Sequence, residues 1–197
     1  CYELCDRYDT TIAFCGPDRA LLEHLRDMLE TEHYHVCIST DVAGVECAVA
    51  MKNGFALGVA LAIGQKLEAG INNLNPESAL FGEATRETLR LIRLMGGDEE
   101  SICYFAGDLY VTVYAGRSRR LGELLGRGLD IDKAKARLNG VTLESAAVDV
   151  TVAHALRRMA EDGRANPADF PLLMHIDELL SQHAQLNIPW HAMARNA

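Results

Sequence analysis

Three arginines in four positions follow a lone aspartate in the segment GDLYVTVYAGRSRR, residues 107–120. Asp108 comes after two small residues, where another group can approach the backbone closely. The guanidinium groups of Arg117, Arg119 and Arg120 have the forked geometry that suits a phosphate. A helix that opens with RRLGELLG would add partial positive charge at its N-terminus. The segment therefore predicts a small anion site close to a carboxylate.

The charge of the whole chain makes this local cluster conspicuous. The formal net charge is −9 and the pI is about 5.2. General binding of nucleic acids or of anionic membranes needs a broad basic face, which this composition excludes. The alternative for the arginines is a solvated basic turn beside the acidic residues Asp98, Glu99 and Glu100.

Lys52 is the second residue that could do chemistry. It stands in VECAVAMKNGFALGVALAIG, residues 45–64, among mostly small and apolar residues. Burying an ammonium group is costly unless it is paired or reaches a cleft, where it can exchange a proton. Asp108 is a suitable counter-charge, and Thr112 offers a hydroxyl four residues later. The alternative is a lysine that extends from a buried helix to solvent. The role of Asn53 beside it has the same two interpretations, one functional and one structural.

The elements that must position these residues change character near residue 42. Residues 10–40 have the pattern of a strand, an amphipathic helix and a second strand. Helical patterns then dominate, over residues 43–64, 76–95, 130–138, 143–161 and 167–182. One such α/β unit is too small for a stable sheet, and the 197 residues contain neither G-x-G-x-x-G nor a P-loop. We therefore expect the chain to be the back part of a larger protein.

Cysteine use and hydropathy give further expectations. The six cysteines stand at positions 1, 5, 15, 37, 47 and 103, and none forms a C-x-x-C pair. We interpret them as reduced, mostly buried thiols of a cytoplasmic protein. Within residues 45–64, Glu46, Lys52 and Asn53 favour a soluble, buried helix over a membrane span. No group of residues has the spacing of a metal site.

The order of these pieces resembles the NAD-dependent glycerol-3-phosphate dehydrogenases. DVAGVECAVAMKNGFALGVALAIG is similar to that family's Asp-Val-x-Gly-Val-Glu segment with its Lys-Asn in an Ala/Gly-rich helix. GDLYVTVYAGRSRRLGELLGRG is similar to its Gly-Asp-Leu-x-x-Thr segment and the Arg-Asn pair that follows. ATRETLRLIRLMGG and GVTLESA resemble two further family segments. The likeness runs from about residue 8 to about residue 180.

The resemblance implies a mainly α fold in two parts. Residues 1–42 would be the end of a dinucleotide-binding Rossmann domain, and residues 43–197 an all-helical domain of the 6-phosphogluconate-dehydrogenase-like type. The implied protein is a cytoplasmic, homodimeric oxidoreductase of carbohydrate metabolism and phospholipid biosynthesis, with no nucleic-acid or membrane partner. It would move a hydride between NAD, or NADP, and carbon 2 of a phosphorylated three-carbon substrate, glycerol 3-phosphate or dihydroxyacetone phosphate.

The resemblance also implies roles for individual residues. Lys52 would exchange a proton with the C2 oxygen, Asp108 would hold that lysine, and Arg117 would bind the substrate phosphate. The full implied set is Lys52, Asp108 and Thr112 in catalysis, Asn53, Arg117 and Ser118 in substrate binding, and Arg117 and Glu144 in cofactor binding, without a metal.

Departures from the family pattern leave alternatives open. Ser118 replaces the family's Asn, Phe105 replaces a Gly, and Ser145 replaces the Gly after Glu144. A dehydrogenase for another phosphorylated or 2-keto substrate would fit these changes. A non-catalytic helical assembly module would fit the Ala/Gly-rich helices. Because the glycine-rich loop is absent from these residues, we expect this chain alone neither to bind NAD tightly nor to turn over.

Overall fold

The computed structural model describes residues 2–115, 117–138 and 144–196. The elements in these ranges are α1 (Tyr2–Cys5), β1 (Thr10–Cys15), α2 (Arg19–Leu29), β2 (Tyr34–Ser39), α3 (Val42–Ala69), α4 (Asn75–Leu94), α5 (Ile102–Ala115), α6 (Arg117–Gly126), α7 (Ile131–Arg137), α8 (Glu144–Glu161), α9 (Pro171–Ser181) and α10 (Trp190–Arg195). Short 3-10 helices, Glu99–Ser101 and Pro167–Asp169, precede α5 and α9. The mainly α fold with a short α/β part is confirmed.

The α/β part is one parallel strand pair with its crossover helix. β1 and β2 run in register from the pair Thr10 and Tyr34 to the pair Cys15 and Ser39. Asp18 caps α2, because its carboxylate accepts a hydrogen bond from the N–H of Leu21 at 3.1 Å. The strand–helix–strand prediction for residues 10–40 is confirmed. The division into two domains at residue 42 stays a prediction.

Helix α3 forms the centre of the core. Most of its side chains from residue 45 to residue 64 are buried, as the Ala/Gly-rich sequence predicts. By length and composition α3 could cross a membrane, but 72% of its most apolar window is buried by other elements. Asp41 caps its start and accepts hydrogen bonds from Gly44 N–H, Asp98 N–H and the Ser101 hydroxyl. The bond from Ser101 contributes most to lowering the pKa of Asp41.

Helices α3 and α6 pack with their backbones in close approach. A Cβ atom added to Gly122 would lie 2.2 Å from the carbonyl oxygen of Leu57. A Cβ atom added to Gly126 would lie 2.3 Å from the carbonyl oxygen of Leu61. No side chain fits at these distances, so the two glycines determine how closely the helices approach. Since α6 begins at Arg117, this contact also positions that arginine relative to α3.

Helix α5 contains the segment LYVTVY, whose residue types favour strands. The segment is nevertheless helical. Phe105, Leu109 and Val113, spaced four apart, are buried on one face, whereas Tyr110 and Tyr114 are exposed. Burial of this helical stripe outweighs the weak intrinsic preference for strand. The same helix carries Asp108 one residue before a buried leucine.

Buried carboxylates join the later helices to the core. Glu87 on α4 is fully buried and accepts hydrogen bonds from the N–H groups of Leu172 at 2.6 Å and Leu173 at 2.9 Å. These donors belong to the first turn of α9, so the carboxylate occupies its N-terminus. Burial disfavours the charged carboxylate more than these two hydrogen bonds favour it. Burial therefore raises the pKa of Glu87 well above its usual value.

A second buried acid, Asp149, has no such donors. Asp149 on α8 and Asp177 on α9 are both 0% exposed. Neither carboxylate oxygen of Asp149 has a hydrogen-bond partner among the described residues. Asp177 accepts a hydrogen bond from the Ser181 hydroxyl at 2.9 Å and forms an ion pair with Arg157, in which Nη1 lies 2.6 Å from Oδ2. Burial, with the charge of Asp177 as a second cause, raises the pKa of Asp149 well above its usual value.

We expect Asp149→Asn to stabilise the protein at neutral pH. Because the folded-state pKa is raised, Asp149 lowers stability progressively as pH rises above the unfolded value, up to the folded pKa. Asparagine cannot ionise, so the variant should gain roughly 1–3 kcal/mol at pH 7 and lose this part of the pH dependence. Urea unfolding at several pH values measures both effects. Glu161→Gln, at an exposed position of the same helix, is the control, and equal pH slopes in Asp149→Asn and the parent protein would contradict the prediction.

The expectation of mostly buried thiols is wrong for the described cysteines. Cys5, Cys37 and Cys103 are exposed, and Cys15 and Cys47 are half-buried. All five are free thiols. Cys37 and Cys103 are exposed because they line a cavity between the sheet and α5. Only Cys47 has the expected surroundings, where burial raises its pKa to about 11.

Candidate active site

Lys52 and Asp108 meet between α3 and α5, although they are 56 positions apart in the sequence. The ammonium Nζ of Lys52 donates a hydrogen bond to Oδ2 of Asp108 in a direct ion pair. The side chains are 22% and 41% exposed, respectively. The structure therefore places the ammonium on a carboxylate at the edge of the core, rather than alone in bulk solvent. A ligand can reach this pair.

The carboxylate faces a cavity between the two-stranded sheet and the helices. The cavity has a volume of about 520 Å³, and Asp108 and Gly107 of α5 form part of its wall. A Cβ atom at Gly107 would meet nothing within 4 Å, so the space beside Asp108 is open. Apolar side chains, among them Ile12 and Val49, line the rest of the wall together with polar ones. Such a mixture suits a small organic ligand.

Two polar neighbours of the pair were also predicted. The Thr112 hydroxyl donates a hydrogen bond to the backbone oxygen of Asp108 at 2.6 Å, one turn earlier in α5. It therefore stays on the Asp108 side of the helix, with its lone pairs available to accept. Asn53 follows Lys52, is half-buried, and forms no side-chain hydrogen bond with the described residues. Its amide is therefore free to contact a ligand.

The predicted arginine cluster begins helix α6. Arg117 is its first residue, is exposed, and has no ion-pair partner in the described part of the chain. Arg119 is engaged, since it donates to the Tyr114 carbonyl oxygen at 3.2 Å and lies 3.7 Å from Glu123. Arg120 is exposed and equally unpaired within those residues. Arg117 thus combines a free guanidinium with the positive end of a helix.

The acidic segment before α5 does not neutralise this cluster. Glu99 accepts hydrogen bonds from Arg93 at 2.7 and 2.8 Å, a different arginine on α4. Asp98 accepts from the N–H group of Glu100 at 2.9 Å and so caps the short 3-10 helix. The structure therefore gives no support to a basic turn paired with residues 98–100.

Helices α3, α5 and α6 lie within a region that matches a known protein family. Residues 41–189 match the family model described as "NAD-dependent glycerol-3-phosphate dehydrogenase C-terminus". The chain belongs to this family. The matched range contains the Lys52–Asp108 pair and Arg117, so the resemblance seen in the sequence is confirmed.

Curated family members match over part of their length. The NADP(+)-dependent glycerol-3-phosphate dehydrogenase of Archaeoglobus fulgidus is 33% identical over 138 residues, which are 69% of this chain and 41% of that protein. The NAD(P)+ glycerol-3-phosphate dehydrogenase 1 of Mycobacterium bovis is 36% identical over 143 residues, 71% of this chain and 40% of that protein. The chain thus matches about two fifths of the length of these relatives.

Solved structures of the family share the fold. A glycerol-3-phosphate dehydrogenase from Coxiella burnetii superposes with a TM-score of 0.76 at 24% identity, covering 98% of this chain and 56% of that one. A structure from Dunaliella salina superposes with a TM-score of 0.75 at 16% identity, covering 99% of this chain and 33% of that one. At these identities the comparison shows the arrangement of helices and strands alone.

Three positions depart from the family's sequence pattern. Phe105 is 0% exposed and packs edge-to-face on Phe55, with ring centroids 5.9 Å apart. Its bulk therefore lies in the core and does not narrow the cavity beside Asp108. Ser118 is 6% exposed on α6, so it faces inward more than Arg117 does. The side chains of Glu144 and of Ser145 after it lie outside the described part of the structure, so the predicted cofactor contact of Glu144 stays a prediction.

Sequence reasoning missed the buried acids of the helical body. Glu83, Glu87, Asp149 and Asp177 are all 0% exposed. A signal did exist for Asp177, which stands in PLLMHIDELL at a position where the apolar helical pattern expects a core residue. An acid in that register indicates a carboxylate that must find internal partners.

Proposed function

We propose that the natural polypeptide carrying this chain is an oxidoreductase that interconverts glycerol 3-phosphate and dihydroxyacetone phosphate with NAD or NADP. The main support for this proposal is the Lys52–Asp108 ion pair beside an open cavity, in a chain of the glycerol-3-phosphate dehydrogenase family. The unpaired Arg117 at the start of α6 supports the phosphorylated substrate.

Lys52 exchanges the proton that the reaction requires. During oxidation of the secondary alcohol, the C2 hydroxyl loses a proton, and during reduction the C2 oxygen gains one. Asp108 keeps the ammonium at a fixed place through the ion pair, and Asn53 and Thr112 offer further polar contacts to the substrate. The nicotinamide, when bound, accepts or supplies the hydride at C2.

Arg117 binds the other end of the substrate. From Asp108 to the end of α5 at Ala115 the helix advances by about 10 Å, given a rise of 1.5 Å per residue. An extended arginine side chain and a three-carbon phosphate ester together span this separation. The phosphate then meets a forked guanidinium and the positive end of α6, and Ser118 lies next to both.

The cavity beside Asp108 fits part of a dinucleotide. Its volume of about 520 Å³ and its apolar wall suit a nicotinamide ring, and Arg117 and Glu144 are the proposed charged contacts to the cofactor. These 197 residues hold no glycine-rich loop for the pyrophosphate. We expect this chain alone to show no saturable NADH binding below about 1 mM in a fluorescence titration, and micromolar affinity would contradict this.

Arg117→Ala tests the substrate class. In the natural polypeptide, kcat/KM for glycerol 3-phosphate should fall roughly 10- to 100-fold, because a hydrogen bond between charged groups is lost. Turnover of unphosphorylated glycerol should change little. Arg120→Ala removes the same charge three residues later and is the matched control. Equal losses for both substrates in Arg117→Ala, or a larger loss in Arg120→Ala, would contradict the assignment of the phosphate to Arg117.

A further inference from the structure

We propose that a cavity beside helix α8 is a second anion-binding site, built for the phosphate groups of a small molecule. The cavity has a volume of about 660 Å³, and its wall is formed by Thr151, His154, Arg157, Arg158 and Gln182. It shares no lining residue with the cavity beside Asp108. The proposal is therefore independent of the proposed dehydrogenase function.

The helical spacing gathers the donors on one surface. Thr151, His154 and Arg158 follow one another at intervals of three and four residues, so they form a continuous face of α8. Arg157 borders this face, and Gln182, just after the end of α9, closes the cavity from the other side. Two guanidinium groups, an imidazole and an amide thus converge as possible donors to phosphate oxygens, whereas the Thr151 hydroxyl already donates to the Ala147 carbonyl oxygen at 2.7 Å.

A buried carboxylate holds one of the arginines in place. Asp177 is 0% exposed and accepts a hydrogen bond from the Ser181 hydroxyl. Its Oδ2 lies 2.6 Å from Nη1 of Arg157. Arg157 itself is 37% exposed. Arg157 thus pairs with Asp177 through one nitrogen and also lines the cavity, so the rest of its guanidinium group is left for an anion. A guanidinium fixed in this way loses little conformational entropy when it binds an anion.

The local charge favours an anion although the whole chain is acidic. Arg158 is exposed and has no ion-pair partner among the described residues. Burial raises the pKa of Asp149, with the charge of Asp177 as a second cause, which disfavours a second negative charge beside Asp177. Asp177 therefore offsets one of the two arginines, and the other remains uncompensated. The imidazole of His154 lies beside the same acid, with its Nε2 3.8 Å from Oδ1 of Asp177.

Another cavity with arginines lacks this surplus. It has a volume of about 340 Å³ and is lined by Arg90, Arg93 and Arg164. There each arginine lies within ion-pair distance of an acid, namely Glu83, Glu99 and Asp162 respectively. An anion in that cavity would have to displace existing partners. Of the two cavities, the one beside α8 is the one with an arginine, Arg158, that has no ion-pair partner among the described residues.

The experiment measures pyrophosphate binding by isothermal titration calorimetry. The Arg117→Ala chain is used throughout, so that the proposed substrate site does not contribute. We expect one saturable site, and the added substitution Arg158→Ala should weaken it at least 10-fold. Arg137→Ala removes the same charge from an exposed, unpaired arginine on α7 and should leave the affinity unchanged. Titration with ATP in parallel shows whether a nucleoside adds affinity to the phosphate contacts.

Two results would overturn the proposal. One is equal affinity of pyrophosphate for the Arg158→Ala and Arg137→Ala proteins, and the other is the absence of saturable binding to the Arg117→Ala chain. Amide chemical-shift changes on titration locate the site independently of affinity. They should concentrate at residues 151–158 and at Gln182, and shifts confined to α5 and α6 would count against the proposal.

Discussion

Lys52→Ala is expected to lower kcat for glycerol 3-phosphate oxidation by about 10²- to 10⁴-fold in the natural polypeptide. The substitution removes the group proposed to exchange the C2 proton, while Arg117, the proposed ligand of the substrate phosphate, is kept. KM should therefore change much less than kcat. Steady-state kinetics in both directions measure the loss, and circular dichroism checks that the helical fold is kept.

Two matched variants sharpen this result. Lys52→Arg keeps the positive charge and can still pair with Asp108, but a guanidinium does not release its proton near neutral pH. It should be almost as inactive as Lys52→Ala if Lys52 exchanges a proton. Lys66 lies on the same helix, is 18% exposed and pairs with Glu77, so Lys66→Ala controls for loss of a half-buried ion pair. Full activity in Lys52→Ala would favour the helical assembly module instead.

Gly122→Ala is expected to destabilise the protein by about 3 kcal/mol, although alanine is the better helix former. The added methyl group would lie 2.2 Å from the carbonyl oxygen of Leu57, and a backbone atom cannot rotate away as a side chain could. Helices α3 and α6 would have to separate. The expected decrease in Tm is roughly 6–12 °C for a chain of this size.

Gly82→Ala is the control for this prediction. Gly82 lies inside α4, and a Cβ atom there would meet nothing within 4 Å. The same substitution should therefore stabilise the protein by roughly 0.5–1 kcal/mol, because the unfolded chain loses conformational freedom. Thermal and urea unfolding of both variants measure the contrast. Equal effects of the same sign would show that backbone contact between α3 and α6 does not limit the packing.

The chemical identity of the candidate site could be predicted from local sequence. An ammonium among Ala, Gly and Val residues, and an aspartate before three arginines, stand out because such charges need partners. Family resemblance then assigned them an order and a role. Helix α3, which carries the lysine, was also predictable, because its sequence is a long stretch of small and apolar residues.

Other features depended on tertiary contacts that no local pattern contains. Phe105 stands where the family pattern has a Gly, and only the structure shows that its ring packs into the core against Phe55. The exposed Cys37 and Cys103 were expected inside, because the sequence does not show that a cavity separates the sheet from α5.

The sequence by itself determined which residues are costly to bury and, apart from α5, where the long helices lie. Both properties depend on side-chain chemistry and on neighbours within a few positions along the chain. Only the tertiary structure decided that Lys52 meets Asp108 and that Glu87 occupies the N-terminus of α9. It also decided that the carboxylate of Asp149 has no hydrogen-bond partner in the part of the chain that the structure describes. These contacts join residues dozens of positions apart, and their distances follow from how closely whole helices pack.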